Sequence, residues 1–241
     1  PEQQANAYRA ILSDMKLHRE RKENIPIAVL QRLANCSLSP VPLFEDVELT
    51  DSMIADSGRL TAFFRILDDI AARREKVVVF VQHFDVQDVV ARAIRARYGL
   101  DHMPGKINGT MPPAARQRVV TEFQDGRPGF DAVVLTGRAA GTGLTLTAAN
   151  HVVHLERWWN PAVEDQCSDR VYRIGQTKDV MVHVPLAVFR EEVDPADSPF
   201  DVTLHQFLER KRSRSQSVLA PSSSGKGDQE FIESFFGQKA D

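Results

Sequence analysis

Only two cysteines, Cys36 and Cys167, occur in 241 residues, which is too few for a disulfide framework and fits a reducing compartment. No Cys-x-x-Cys and no His-Glu-x-x-His is present, so zinc has no ligand set at the usual spacing, and the seven histidines are scattered. No run of eighteen apolar residues exists and the first residues are polar, so a soluble, intracellular protein with no membrane partner is expected. Charge of one sign is also lacking: 30 Lys and Arg face 33 Asp and Glu, for a net charge of −3. No overall basic field recruits nucleic acid, and any such contact must come from local patches. No Gly-x-x-x-x-Gly-Lys-Ser/Thr loop is found, since Gly225-Lys226 lacks the upstream glycine. No apolar strand ends in Asp-Glu, and Leu67-Asp68-Asp69 falls on the solvated side of a helical pattern. The chain therefore has nothing to hold a nucleotide's β-phosphate and its metal. Internal repeats are absent as well.

What is present is a hydrophobic content of 42%, enough for a real core. Residues 3–22 repeat apolar residues at helical spacing (Tyr8, Ile11, Leu12, Met15, Leu17), and a second helix starts after Pro26 with Val29, Leu30 and Leu33. Residues 37–51, with two prolines and no periodicity, read as loop. Residues 57–75 form an amphipathic helix on Leu60, Phe63, Phe64, Leu67 and Ile70. Then the period changes. KVVVFV (76–81), DAVVLT (131–136), HVVHLE (151–156) and VMVHV (180–184) read as buried strands, with a possible short strand at KING (106–109). Helices at 86–98, 112–123 and near 162–173 separate them. Alternation of strand and helix implies a parallel sheet with right-handed crossovers, whose working loops lie at the strands' carboxyl ends. A basic helix at 203–214, a flexible stretch at 220–228 and a short apolar-faced helix at 230–237 follow.

Two motifs carry chemistry. TGRAAGTGLTLT (136–147) puts three glycines and two alanines after a buried strand, where bare amides can cradle an anion; a tight strand-to-helix turn explains it equally. In DQCSDRVYRIGQ (165–176), Gln166, Arg170 and Arg173 share one face if the segment is helical. Arginine's planar fork suits phosphate oxygens; the alternative is a solvated face paired with Glu164, Asp165 and Asp169.

VVVFVQHF, KINGTMPPAARQRVVTEFQ and the long string from VVLTGRAAGTG through ERWWNPAVEDQ to DRVYRIGQTKDV resemble, in order, helicase motifs IV, V and VI of the Swi/Snf-like ATPases of superfamily two. The likeness is dense over 57–190, extends more thinly to 3–56 and 200–220, and is closer in form to bacterial members. It implies the second of two RecA-like lobes, with ATP bound between lobes and the phosphate loop and acidic magnesium motif on the other lobe. The fold class implied is α/β, a RecA-like parallel sheet flanked by helices. The implied division is a helical inter-lobe segment (1–56), the lobe itself (57–200), a basic brace helix against the first lobe (201–219), and a linker with a terminal helix (220–241).

By the same resemblance Arg170 and Arg173 are arginine fingers supported by Gln166, and Gly141, Thr142 and Gly143 face ATP. Gln82, His83, Gly109, Thr110, Arg138, Thr145, Trp159 and Asn160 lie along the DNA track. The implied cofactor is ATP with Mg²⁺, held mainly by the first lobe. The implied partners are that lobe, double-stranded DNA and a nucleoprotein substrate, in the cytoplasm of a bacterium or the nucleus of a eukaryote. Thr142, Thr145, Glu156 and Tyr172 depart from the residues common in the family, and none removes an arginine finger. This chain alone is expected to be inactive. The competing reading is a binding module that keeps the fold and has lost the chemistry.

Overall fold

The computed structural model describes residues 1–20, 27–136, 143–188 and 199–217. The expected 220–228 linker and 230–237 helix lie outside them. The order is α1 (Glu2–Glu20), α2 (Ile27–Leu38), α3 (Asp51–Ala55), α4 (Gly58–Ala72), β1 (Lys76–Val81), α5 (Phe84–Tyr98), β2 (Gly105–Ile107), α6 (Pro113–Asp125), β3 (Asp131–Thr136), β4 (His151–His154), α7 (Pro161–Ser168), β5 (Met181–His183) and α8 (Phe200–Ser217).

The strands pair in parallel in the order β2-β3-β1-β4-β5. The continuous apolar runs of β1 and β3 are explained by their place: each has a strand on both sides and helices on both faces. Alternate residues divide between two layers. Val77, Val79 and Val81 meet Leu60, Phe63, Phe64 and Leu67 of α4 and Val90 and Ile94 of α5. Val78 and Phe80 meet Val120 and Phe123 of α6, Leu144 and Leu146, and Cys167 and Val171. Each such apolar side chain taken from water contributes about 1.5–3 kcal/mol before chain entropy is counted. The amphipathic helix of 57–75 is real but shorter. Its start is fixed by Ser57, whose hydroxyl accepts the Leu60 N–H at 3.0 Å and donates to the Leu38 carbonyl at 2.6 Å.

Three expectations change. HVVHLE stops pairing after His154: the Leu155 and Glu156 N–H groups both reach the Phe80 carbonyl, at 3.0 and 3.5 Å, so the ladder advances no further along β1. VMVHV is an edge strand of three residues, not a buried one: Met181 is 44% and Val182 51% exposed. A short α3, capped by the Thr50 hydroxyl, interrupts the region after the 37–51 loop.

The helices at the two ends of the described chain form a third apolar cluster. Tyr8, Ile11 and Leu12 of α1 and Leu30 and Leu33 of α2 pack with Phe200, Leu204, Phe207 and Leu208 of α8. The basic terminal helix thus lays its apolar side on helices of this same chain. A buried ion pair between Arg59 on α4 and Asp201 in the first turn of α8 ties this cluster to the sheet domain.

Candidate functional site

Strand register brings the motifs to one edge. Val81 pairs with Thr136, Ile107 with Leu135 and Phe80 with His154, so the segments after β1, β2, β3 and β4 all leave the sheet at the same level. Gln82 and His83 follow β1. Glu156, 6% exposed, accepts the Gln82 N–H at 2.7 Å and lies 2.8 Å from His83 Nδ1, while the Gln82 amide donates to the Arg157 carbonyl. The Glu156 hydrogen bond, opposed by burial, raises the pKa of His83 above its ordinary 6.5. With Arg59, Trp159 and Phe200 these residues line a cleft of about 70 Å³. That is far below the roughly 300–1,000 Å³ of a small-molecule pocket. Trp159 is half-buried, edge-on to Phe200 at 5.7 Å.

Gly109 and Thr110 are exposed in the turn after β2. Asn108 shapes that turn, its Oδ1 accepting from the Thr110 N–H at 3.2 Å and from the Thr110 hydroxyl at 2.8 Å. Buried Gln87 holds the base of the turn by donating to the carbonyls of Ile107 and Val134. Neither residue was assigned a role from sequence. Gln87 had a signal: it sits on the apolar side of α5 in phase with Val90, Ala91 and Ile94, where an amide needs a partner.

After β3 the described chain resumes at Gly143; Arg138, Gly141 and Thr142 lie outside the described residues. Gly143 is exposed at φ +73°, a left-handed conformation that favours glycine. Here the arginine segment meets the loop. Arg173 Nη1 donates to the carbonyls of Gly143 (2.9 Å) and Leu144 (3.2 Å) and to Thr145 Oγ1 (3.2 Å). The expected helix of 162–173 ends at Ser168, so Gln166, Arg170 and Arg173 do not share a helix face. The reason is local. Arg170 and Val171 donate to carbonyls three residues back, Val171 turns into the core, and the Leu146 N–H takes the Arg170 carbonyl at 2.9 Å. Gly175, at φ +102°, completes the turn. Gln166 is exposed on the last turn of α7, Arg170 is half-buried and Arg173 is exposed.

The start of α7 is fixed by Asn160, whose side chain accepts the Ala162 N–H at 3.1 Å, and by Pro161. Glu164, fully buried, takes both arms of Arg157, the Trp158 N–H and Arg212 of α8. Burial opposes its ionisation, but the Arg157 hydrogen bonds and charge outweigh it and hold its pKa below 4.5. Glu164 was read from sequence only as a possible surface partner for arginine.

The edge fits a phosphate. Arg170 Nε is buried without a hydrogen-bond partner, and an anion is the natural acceptor for an unpaired guanidinium donor. Among the described residues no group of three or more His, Cys, Asp or Glu side chains could hold a metal ion.

The helicase conserved C-terminal domain matches residues 59–175. The chain is 35% identical over 188 residues to the Zorya protein ZorD of Escherichia coli, covering 76% of this chain and 16% of that protein. It is 32% identical over 199 residues to the putative ATP-dependent helicase/translocase YwqA of Bacillus subtilis, covering 80% and 21%. It thus spans about a fifth or less of the length of these relatives. Among solved structures it is similar to the Sulfolobus solfataricus SWI2/SNF2 ATPase core in complex with double-stranded DNA, with a TM-score of 0.71 and 26% identity over 98% of this chain and 47% of that one. The chain belongs to the Swi/Snf-like ATPases of helicase superfamily two, and it is a helicase C-terminal lobe of that family.

Proposed function

We propose that this lobe is half of the motor of an ATP-dependent double-stranded-DNA translocase. It supplies Arg170 and Arg173 to the γ-phosphate of an ATP held with Mg²⁺ by a first RecA-like lobe. The observation that carries this reading is the meeting of Arg173 with Gly143 and Thr145 at the sheet's carboxyl edge, beside an Arg170 whose Nε is buried and unpaired. Bound ATP would supply the phosphoryl group that is cleaved. Arg170 and Arg173 would stabilise the charge that develops on it, and Gln166 would line the approach. Gly141 and Thr142 lie beside Gly143 in sequence and would present amides to the same phosphates. Gln82, His83, Gly109, Thr110, Arg138, Thr145, Trp159 and Asn160 form the DNA-facing group. Such a track engages mostly backbone phosphates and ignores sequence. A nucleoprotein is the substrate class that such a motor would act on.

The test is DNA-stimulated ATP hydrolysis by the full-length protein that carries this chain. Turnover should require duplex DNA, and Arg173→Ala should lower it by roughly 10³-fold or more. The variant should stay folded: losing the hydrogen bonds of the exposed Arg173 to Gly143, Leu144 and Thr145 costs about 1.5–3 kcal/mol, less than the roughly 5–15 kcal/mol by which a folded domain is stable. A wild-type protein that binds DNA and hydrolyses no ATP would make the lobe a binding module instead.

A further inference from the structure

The side-chain amide of Gln176 donates to three backbone carbonyls: Ala149 at 2.7 Å, Thr147 at 3.2 Å and Val171 at 3.4 Å. Two of these belong to the loop after β3 and the third to the arginine segment. Its Oε1 accepts the Lys178 N–H at 2.9 Å, and its own N–H donates to the Arg173 carbonyl at 2.9 Å. Every polar atom of the residue but its carbonyl is therefore committed to fixing these two segments. An amide suits the place because it carries two N–H donors and an acceptor without charge. The three acceptors are turn carbonyls, groups that need a partner when they lie away from water.

The loop 143–149 and the segment 170–176 are joined at three levels. Arg173 holds Gly143, Leu144 and Thr145; the Leu146 N–H holds the Arg170 carbonyl; and Gln176 holds Thr147 and Ala149. The two arginines and the loop therefore form one unit, and Gln176 closes the end opposite the guanidinium.

We propose that Gln176 is a positioning residue for Arg173. It sets the register between the loop and the arginine segment, so that a displacement of the loop carries the guanidinium with it. The inference rests on Arg173 acting on the nucleotide. Gln176→Glu, which has the same shape, removes both donors and sets a charge against three carbonyls. Gln176→Asn keeps the donors but shortens their reach.

The experiment measures DNA-stimulated ATP hydrolysis by the full-length protein carrying each Gln176 variant, Arg173→Ala, and each pair combined, with thermal unfolding alongside. Each Gln176 variant should lower kcat by about 10²-fold, the scale of a misplacement of about 1 Å. The KM for ATP should stay within about twofold, because ATP is held mainly by the first lobe, which neither variant touches. In the Arg173→Ala background either variant should cost less than about a further twofold, since residues acting as a unit are not additive. Full additivity, or a raised KM with kcat unchanged, overturns the proposal. If Arg173→Ala is inactive while both Gln176 variants turn over normally, the positioning role alone falls. If Arg173→Ala turns over normally, the arginine-finger reading falls and this inference with it. If both Gln176 variants unfold, Gln176 is structural and the positioning role is rejected.

Discussion

Arg173 is exposed, yet its Nη1 already touches three groups of the neighbouring loop. The arginines could be read from sequence because their residue type and company are local facts. Their tethers could not. Glu156 reaches Gln82 across 74 positions, and Gln176 reaches Ala149 across 27. Nothing in residue spacing reports such contacts. His154 shows another residue-scale consequence. The Ser168 hydroxyl lies 3.0 Å from His154 Nε2 and 3.1 Å from the Glu164 carbonyl, while His154 Nδ1 is buried without a partner. Burial lowers its pKa from 6.5 to about 4. The unfolded chain thus takes up a proton near pH 6.5 that the folded chain refuses until about 4, and His154 stabilises the fold fully above 6.5 and progressively less below it. In urea unfolding, the stability difference between wild type and His154→Gln should shrink between pH 7 and pH 4.5. A constant difference would remove His154 from the acid response.

At the scale of elements, the buried strands were the most legible part. A continuous β-branched run bounded by turn residues has few other uses, and the expected limits of β1 and β3 match the observed ones. The segment after α7 was less legible because the helical spacing of Gln166, Arg170 and Arg173 continues past the point where tertiary bonds to Leu146 take over. Arg59 was also hidden. It lies in the first turn of an amphipathic helix, and its partner Asp201 is 142 positions away. Both are buried, at 4% and 2% exposure, and Asp201 also accepts the Ala187 N–H at 2.7 Å. Arg59→Ala would strand that carboxylate and should cost about 3–5 kcal/mol. Denaturant midpoints measure this; a loss under about 1 kcal/mol would mean that the apolar contacts of α8 and its Arg212–Glu164 pair hold it without Arg59.

For the whole molecule, α8 is the piece that closes the third cluster. Removing residues from Phe200 onward would uncover Tyr8, Leu30 and Leu33, now 4%, 2% and 0% exposed. The truncated protein should bind an apolar dye and melt at a lower temperature than the intact chain, whereas an unchanged melting curve would show that α8 adds no stability. Charge is the other property of the whole. With a net charge of −3, any hold on duplex DNA must come from a few phosphate contacts. The logarithm of the affinity should then fall with the logarithm of salt by about 0.9 per phosphate contacted. A flat dependence would rule such contacts out.

The strand order has a consequence for how the chain is made. β1 lies at the centre of the sheet, but Asp131, the partner of Lys76, is synthesised 55 residues later, and His151, the partner of Val77, 74 residues later. At about 5–20 residues per second, KVVVFV waits roughly 3–11 s for its first neighbour. During that time it is an apolar β-branched segment with no strand beside it, the kind of segment that seeds aggregation when left exposed. The helix made just before it, with Leu60, Phe63, Phe64 and Leu67, is available to shield one of its faces while translation continues. The other face stays bare until α6 and the segments after β3 emerge, so that side of the nascent chain is where a chaperone has most to cover.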